Sequence, residues 1–394
     1  MSTSAGKISY VDFAKGYAIF TIVLYHAFQQ VDLPPLLRQG IVFGGTGVHL
    51  FFLLSGFGLA WSRTVLKPSE FYRRRLIKVW LPYVLALTIS LLAALVFDLF
   101  PDRWNAWLAG VGLYQMFSEP YIESFGGHFW FISTIVQFYL LFPFLKKWQR
   151  QIDHPRRFFL LALAGSIVWW VTVAWLGKGA SRPWNSCCLQ FLWEFALGMA
   201  LAEGMRNAEY GMRNTEYGVR NTEYGMRNTE CGMRNAECGV RNTECGVRNG
   251  EDEVKRAKFR IPYSVFRIRR HWWVLLPVGL FFTGVMIAMI VKLGTVGRIF
   301  NDIPALLGYT ALSGFLFCLG ELYWPPLKQF FLWVSGFSFS LYLIHVLVLE
   351  AYLHLLPSAP TAWQIIPYLP VALLAGWAFE PLSRRWVGIF EAKS

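Results

Sequence analysis

Two residues on one apolar stretch make the sharpest chemical suggestion in this sequence. Lys15 and His26 lie eleven residues apart in the run that begins at about Val11. In a helix, at about 100° and ~1.5 Å per residue, they would share one face to within ~20° and stand ~16 Å apart along the axis. That arrangement suits a long ligand with an anionic head at one end and a reactive group deeper in. A lysine reaching out to the membrane surface and a histidine hydrogen-bonded inside a bundle would satisfy the same spacing.

Acyl-coenzyme A has the required shape, with phosphates at one end, an extended pantetheine arm and a thioester at the other. Further histidines fall at a depth similar to that of His26. His49 lies in the second apolar run, His128 follows Gly126-Gly127 at the mouth of the fourth, and His345 sits in the ninth. A histidine of this kind alone is more often a packed, satisfied core residue, but four converging on the outer half of one bundle point to a site. Imidazole can take and return a proton near neutral pH. Trp130 follows His128 by two residues, and Tyr342 stands one turn from His345. Arg73, Arg74, Arg75 and Lys78 form a basic cluster at the other end of the third run. They serve either as a topology signal or as a clamp on coenzyme phosphates, since Arg matches phosphate bidentately. Glu194, Glu350 and Glu380 are acids within or beside apolar runs and could orient a histidine. For Glu380, pairing with Arg384 one turn on is an equal expectation.

The elements that must hold these residues are membrane helices. Of the 394 residues, 55% are hydrophobic and only 15% charged, and mean hydropathy is +0.39. Ordinary soluble domains carry about 25% charged residues. Ten runs are long enough to cross a bilayer: 11–30, 42–62, 76–97, 127–145, 158–176, 184–203, 272–291, 303–323, 330–354 and 363–384. The stretch Trp104–Phe117 is apolar but short and broken by glycine, which predicts an interfacial or re-entrant piece. Basic residues concentrate in alternate loops, which predicts an all-α polytopic bundle with both termini cytoplasmic. Because the net charge of +13 resides in those loops without any nucleic-acid motif, nucleic acid is not an expected partner. The six cysteines form no CxxC pair, so neither disulfides nor a metal site is expected. The first run has no small-residue cleavage site after it and is expected to remain as a membrane helix.

The organisation that follows is a bundle over 1–203, a cytoplasmic loop over 204–271 and a second bundle segment over 272–394. The loop carries a seven-residue unit, Gly-Met/Val-Arg-Asn-Thr/Ala-Glu-Tyr/Cys, repeated six times from Gly204. Its apolar positions do not follow coiled-coil spacing, and Gly and Asn in every unit oppose helix, so a disordered insert is expected.

Several strings together resemble the acyltransferase 3 family of bacterial membrane acyltransferases. Asp12-Phe13-Ala14-Lys15-Gly16 through His26 is similar to that family's first helix, and Gly47-Val48-His49-Leu50-Phe51-Phe52 through Ser55-Gly56-Phe57 to its second. Phe71-Tyr72-Arg73-Arg74-Arg75 through Pro82-Tyr83 resembles its basic third helix. His128-Phe129-Trp130-Phe131 and Gln137 through Pro143 resemble the fourth. Ser340-Leu341-Tyr342-Leu343-Ile344-His345 and Glu380-Pro381 complete the set. The resemblance implies a bundle of about ten helices in the bacterial inner or plasma membrane. It would transfer acyl groups, often acetyl, from acyl-coenzyme A to hydroxyls of surface polysaccharides, lipid-linked glycans or small molecules. It maps the catalytic histidine onto His26 and the coenzyme-binding basic residue onto Lys15, where the family has Arg. His49 stands where the family commonly has Asp.

The expected roles follow. His26 acts in catalysis with His345; Lys15, Arg73, Arg74 and Arg75 bind the coenzyme; His49, His128, Trp130 and Tyr342 face the acceptor, a carbohydrate or another hydroxyl compound. Acyl-coenzyme A is a co-substrate, and no permanently bound cofactor is expected. The rival reading is a transporter or flippase of a lipid-linked sugar, since buried histidines and acids also suit proton relays.

Overall fold

The computed structural model describes residues 8–62, 67–100, 103–152, 154–209, 271–356 and 360–391, and every regular element among them is helical. The chain forms two compact units. The first comprises Met1–Ala202 and Trp272–Ser394; the second is Glu203–His271, of which residues 203–209 and 271 are described. The heptad insert, with its expected disorder, lies outside the described residues.

Apolar residues on every side let these helices face lipid or one another, and a helix satisfies its own backbone polar groups where water is absent. In chain order they are α1 (Ser9–Phe28), α2 (Pro35–Gly45), α3 (Gly47–Trp61), α4 (Pro68–Phe97) and α5 (Trp104–Val111). Next come α6 (Trp130–Gln151), α7 (Pro155–Trp175), α8 (Arg182–Asn185) and α9 (residues 192–209). The last six are α10 (Leu275–Phe300), α11 (Asp302–Leu322), α12 (Pro325–Ser335), α13 (Ser338–Leu353), α14 (Ala362–Ile365) and α15 (Tyr368–Glu391). Pro68, Pro155 and Pro325 open their helices, where a missing N–H costs nothing and φ is already helical.

Seven of these stretches are long and apolar enough to cross a membrane, and an eighth is the α12–α13 pair, bent by 80° between Ser335 and Ser338. The protein is therefore a multi-pass membrane protein. Helix lies within each of the ten runs expected from the sequence, but residues 186–191 interrupt it in the sixth, and α1 and α9 are not among the seven. The Trp104–Phe117 stretch is a short helix followed by a 3₁₀ turn at Gln115–Phe117, too short to cross.

α1 is the central element. Phe13, Ala14, Ala18 and Ile19 are fully buried, and Phe13, Tyr17 and Phe20 pack ring to edge against Phe331 of α12. The periphery is apolar and open, as at Leu280 and Phe281 of α10 and Leu374 and Trp377 of α15, which suits contact with lipid. One crossing positions a site directly. A Cβ on Gly56 of α3 would lie 2.1 Å from the Phe195 carbonyl oxygen, and one on Gly198 of α9 would lie 2.0 Å from that of Leu53. Only glycine at both positions lets these backbones touch, the small-residue packing that membrane helices favour.

Candidate active site

Three of the four histidines meet. The ring centroids of His26 and His345 are 5.2 Å apart, those of His128 and His345 4.8 Å, and those of His26 and His128 6.2 Å. They come from α1, from the 3₁₀ turn Gly127–Phe129 that leads into α6, and from α13. No local sequence rule joins them; the packing of α13 and the α6 entry against α1 does. Gly126, at φ +103°, turns the chain just before His128, a backbone region that other residues adopt only under strain. Its absent side chain also leaves room for the His128 ring, whose Nδ1 would be 2.8 Å from a Cβ there.

The cluster borders a cavity of about 530 Å³. His26, His128, Trp130 and Tyr342 line it, together with Tyr25, Gln29, Glu123, Arg182 and Glu350. Small-molecule sites fall in the range of about 300–1,000 Å³ with a few convergent polar groups. His128 and His345 are buried, while His26 is only half-buried and so is the imidazole offered to the cavity.

Hydrogen bonds define the state of His345. Its Nδ1 lies 2.8 Å from the Tyr342 carbonyl oxygen and 3.2 Å from that of Leu341, so Nδ1 carries the proton. Its buried Nε2 is then a bare acceptor and has no hydrogen-bond partner. The Tyr368 hydroxyl donates to the His345 carbonyl at 2.8 Å, and the Tyr342 hydroxyl donates to the His128 carbonyl. These bonds tie α13 to α15 and to the α6 entry, holding the three rings in register. Above them the Arg182 guanidinium stands 5.8 Å from the Trp130 ring centroid, a cation–π platform at the cavity wall.

The fourth histidine lies elsewhere. His49 does not line the cavity; its Nδ1 is 2.7 Å from Glu194 Oε1, and its Nε2 faces Asp302 Oδ1 at 3.9 Å. The expectation that all four histidines converge is corrected to three, because the α3–α9 crossing brings His49 to Glu194 instead. Glu194 does orient a histidine, and Glu380 does pair with Arg384, at 2.5 Å, while also accepting from Ser340. Glu350 reaches the cavity wall.

The basic residues form a separate set. Lys15 lies 3.7 Å from Asp12 with 38% of its side chain exposed, Arg74 bonds Glu70 at 2.5 Å, and Arg75 stands over the Phe71 ring. Arg73 is exposed. None of the four lines the histidine cavity. Along the unbroken α1 helix, Lys15 and His26 keep the helical offset of ~16 Å. Sequence reasoning missed Arg182, Glu123, Gln190 and Asp302. Asp302 left a signal, a carboxylate at the head of an apolar run, whereas Arg182 opens the one-turn helix α8 and Glu123 sits in a loop, segments whose path local patterning does not reveal.

Comparison with known proteins points the same way as the site. The acyltransferase 3 family, described as an acyltransferase domain, matches residues 8–205. The protein described as acyltransferase MdmB of Streptomyces mycarofaciens is 31% identical over 186 residues, covering 42% of this chain and 47% of that protein. The chain thus matches about half the length of that relative. No solved structure gives a significant match. The family match extends over half of the sequence and contains the α1 histidine, the basic α4 cluster and the α6 entry, and the chain belongs to the acyltransferase 3 family.

Proposed function

We propose that this protein transfers an acyl group, acetyl in the simplest case, from acyl-coenzyme A to a hydroxyl of a carbohydrate or glycoconjugate, within a bacterial cell membrane. The observation that carries the reading is the half-buried imidazole of His26, backed by His345 and His128 at the wall of a cavity inside a membrane bundle. Ten crossings with both termini in the cytoplasm fit the alternation of basic loops. In that orientation Lys15 and Arg73–Arg75 face the cytoplasm and take the coenzyme phosphates, and the cavity opens on the outer side.

The chemistry follows from the groups present. The acceptor hydroxyl lies against His26, which removes its proton as the oxygen attacks the thioester carbonyl. The C–S bond breaks, the coenzyme leaves as its thiolate, and the proton held on His26 passes to that sulfur or to solvent. His345, its Nδ1 proton committed to the backbone, presents its Nε2 lone pair toward the cluster and stabilises an imidazolium beside it. Trp130, Tyr25 and Arg182 give the acceptor an aromatic face and a hydrogen-bond donor. The ~16 Å between Lys15 and His26 fits the span of a pantetheine arm along α1.

The test uses proteoliposomes supplied with radiolabelled acetyl-coenzyme A and the glycan fraction of the host. Label should pass to the glycan, and His26→Ala should cut transfer by about 10²-fold or more while inserting normally. Movement of glycan across the bilayer without any acyl donor would establish the transporter reading instead.

A further inference from the structure

A second polar cluster lies buried in the bundle, and the acyl-transfer reading does not use it. His49 of α3, Glu194 of α9 and Asp302 at the start of α11 each offer one ligand atom, and these atoms lie within 4.8 Å of one another. Their side chains are 9%, 0% and 5% exposed. Gln190 joins them, donating through Nε2 to Asp302 Oδ2 at 2.7 Å and to the Ile299 carbonyl at 3.0 Å.

The cluster has more acceptors than donors. The Nδ1 proton of His49 goes to Glu194 Oε1, and the Gln190 amide protons go to Asp302 and Ile299. Glu194 Oε2 and Gln190 Oε1 remain buried with no hydrogen-bond partner. With Nδ1 protonated, His49 Nε2 is a lone pair, and it faces Asp302 Oδ1 at 3.9 Å, beyond hydrogen-bond reach. No Lys or Arg pairs with either acid among the described residues. Two carboxylates inside a membrane bundle need compensating positive charge. One shared proton would satisfy one oxygen and leave the others facing one another.

We propose that His49 Nε2 and Asp302 bind a divalent transition-metal ion, with Glu194 holding the imidazole from its other nitrogen, zinc being the best match to an imidazole and a carboxylate. Zinc takes N and O ligands at about 2.0–2.2 Å in a tetrahedron, which places ligand atoms roughly 3.4 Å apart. The 3.9 Å between His49 Nε2 and Asp302 Oδ1 is close to that spacing. The Glu194 bond to Nδ1 holds the imidazole in the tautomer that presents Nε2, as outer-shell carboxylates do for metal-bound histidine. Gln190 Oε1, which has no hydrogen-bond partner, and water complete the set, while Glu194 stays in the outer shell on the Nδ1 side of the ring. Through these residues the ion ties α3, α9 and α11 together, beside the Phe191 ring that packs on both His49 and Trp130. This replaces the expectation, drawn from cysteine spacing alone, that the chain holds no metal.

The experiment reads metal rather than acyl transfer, so it stands or fails apart from the proposed activity. The full chain is purified in detergent, stripped with chelator, incubated with zinc or manganese and desalted; bound metal is counted by mass spectrometry and Tm is measured. Cys231→Ser, Cys238→Ser and Cys245→Ser are included so that repeat thiols do not contribute. One zinc per chain and a higher Tm on adding zinc are expected, with at least tenfold weaker binding in Asp302→Asn and Glu194→Gln and unchanged binding in His26→Ala. Less than one-tenth of an equivalent of metal in the stripped and reloaded chain, with Tm indifferent to zinc, overturns the proposal and assigns the cluster to shared protons. Because that result needs no variant, misfolding of Asp302→Asn leaves the proposal open to refutation.

Discussion

The two histidine clusters show what the same side chain becomes in different company. His26, His128 and His345 have no carboxylate among them, and two of them line a cavity of about 530 Å³. His49 sits between two acids, away from that cavity, on helices held by glycine contact. A bare imidazole beside a cavity can exchange a proton with a ligand at little cost. An imidazole held by Glu194 and facing Asp302 has its orientation decided and its partners fixed, which suits binding rather than turnover. The lesson is that a membrane histidine is read from its neighbours and its access, since a similar depth was expected from the sequence in both cases.

Substitutions can break that contrast. His26→Ala should lower acyl transfer by about 10²–10⁴-fold, the usual weight of a general base, and leave Tm nearly unchanged. The check is initial rate at saturating donor alongside a melting curve; loss of folding instead of rate would make His26 a structural residue like His49. Gly198→Leu should act the other way. A Cβ there already meets the Leu53 carbonyl oxygen at 2.0 Å, so α3 and α9 must part, costing about 1–3 kcal/mol or more of stability. Thermal unfolding should show it, with the His49–Glu194 pair disrupted first; an unshifted Tm would mean the crossing is not tight.

Smaller effects sharpen the comparison. Lys15→Ala should raise KM for acyl-coenzyme A by about 10–150-fold, matching loss of a charge-assisted bond of roughly 1.5–3 kcal/mol, and leave kcat near its starting value. Steady-state kinetics with varied donor decides it, and an equal fall in kcat would place Lys15 in the chemical step. Deleting residues 205–250 should touch neither cluster, so rate and Tm should stay within about twofold and ~2 °C of the parent. A large loss in that assay would give the repeat a role that neither cluster explains.

Much of the bundle was legible because membrane helices advertise themselves. The expected run 303–323 appears in the structure as Asp302–Leu322, and 76–97 as Pro68–Phe97, where Pro68 starts the helix eight residues earlier and the basic cluster joins it. That His26, His128 and His345 can meet at one level was legible too, since rise per residue converts position into height along a helix. Their meeting was expected only as a convergence of four, and His49 departed from it. Nothing within Gly47–Trp61 reveals that its His49 face meets Glu194, because that depends on a glycine 142 positions further along the chain from Gly56. Asp302 and Gln190 were missed for the same reason: their significance lies in each other.

The sequence by itself determined that this chain is a helical membrane protein with histidines at a common depth and basic residues gathered at the helix ends. Lipid forces that outcome, because a segment of such composition must satisfy its backbone internally and cannot do so as an open strand. Only the tertiary structure decided which histidines share a cavity and which one is claimed by acids. The rotation of each helix about its axis and its crossing with the next are settled by contacts between distant residues, as at Gly56 and Gly198, and no local period encodes them.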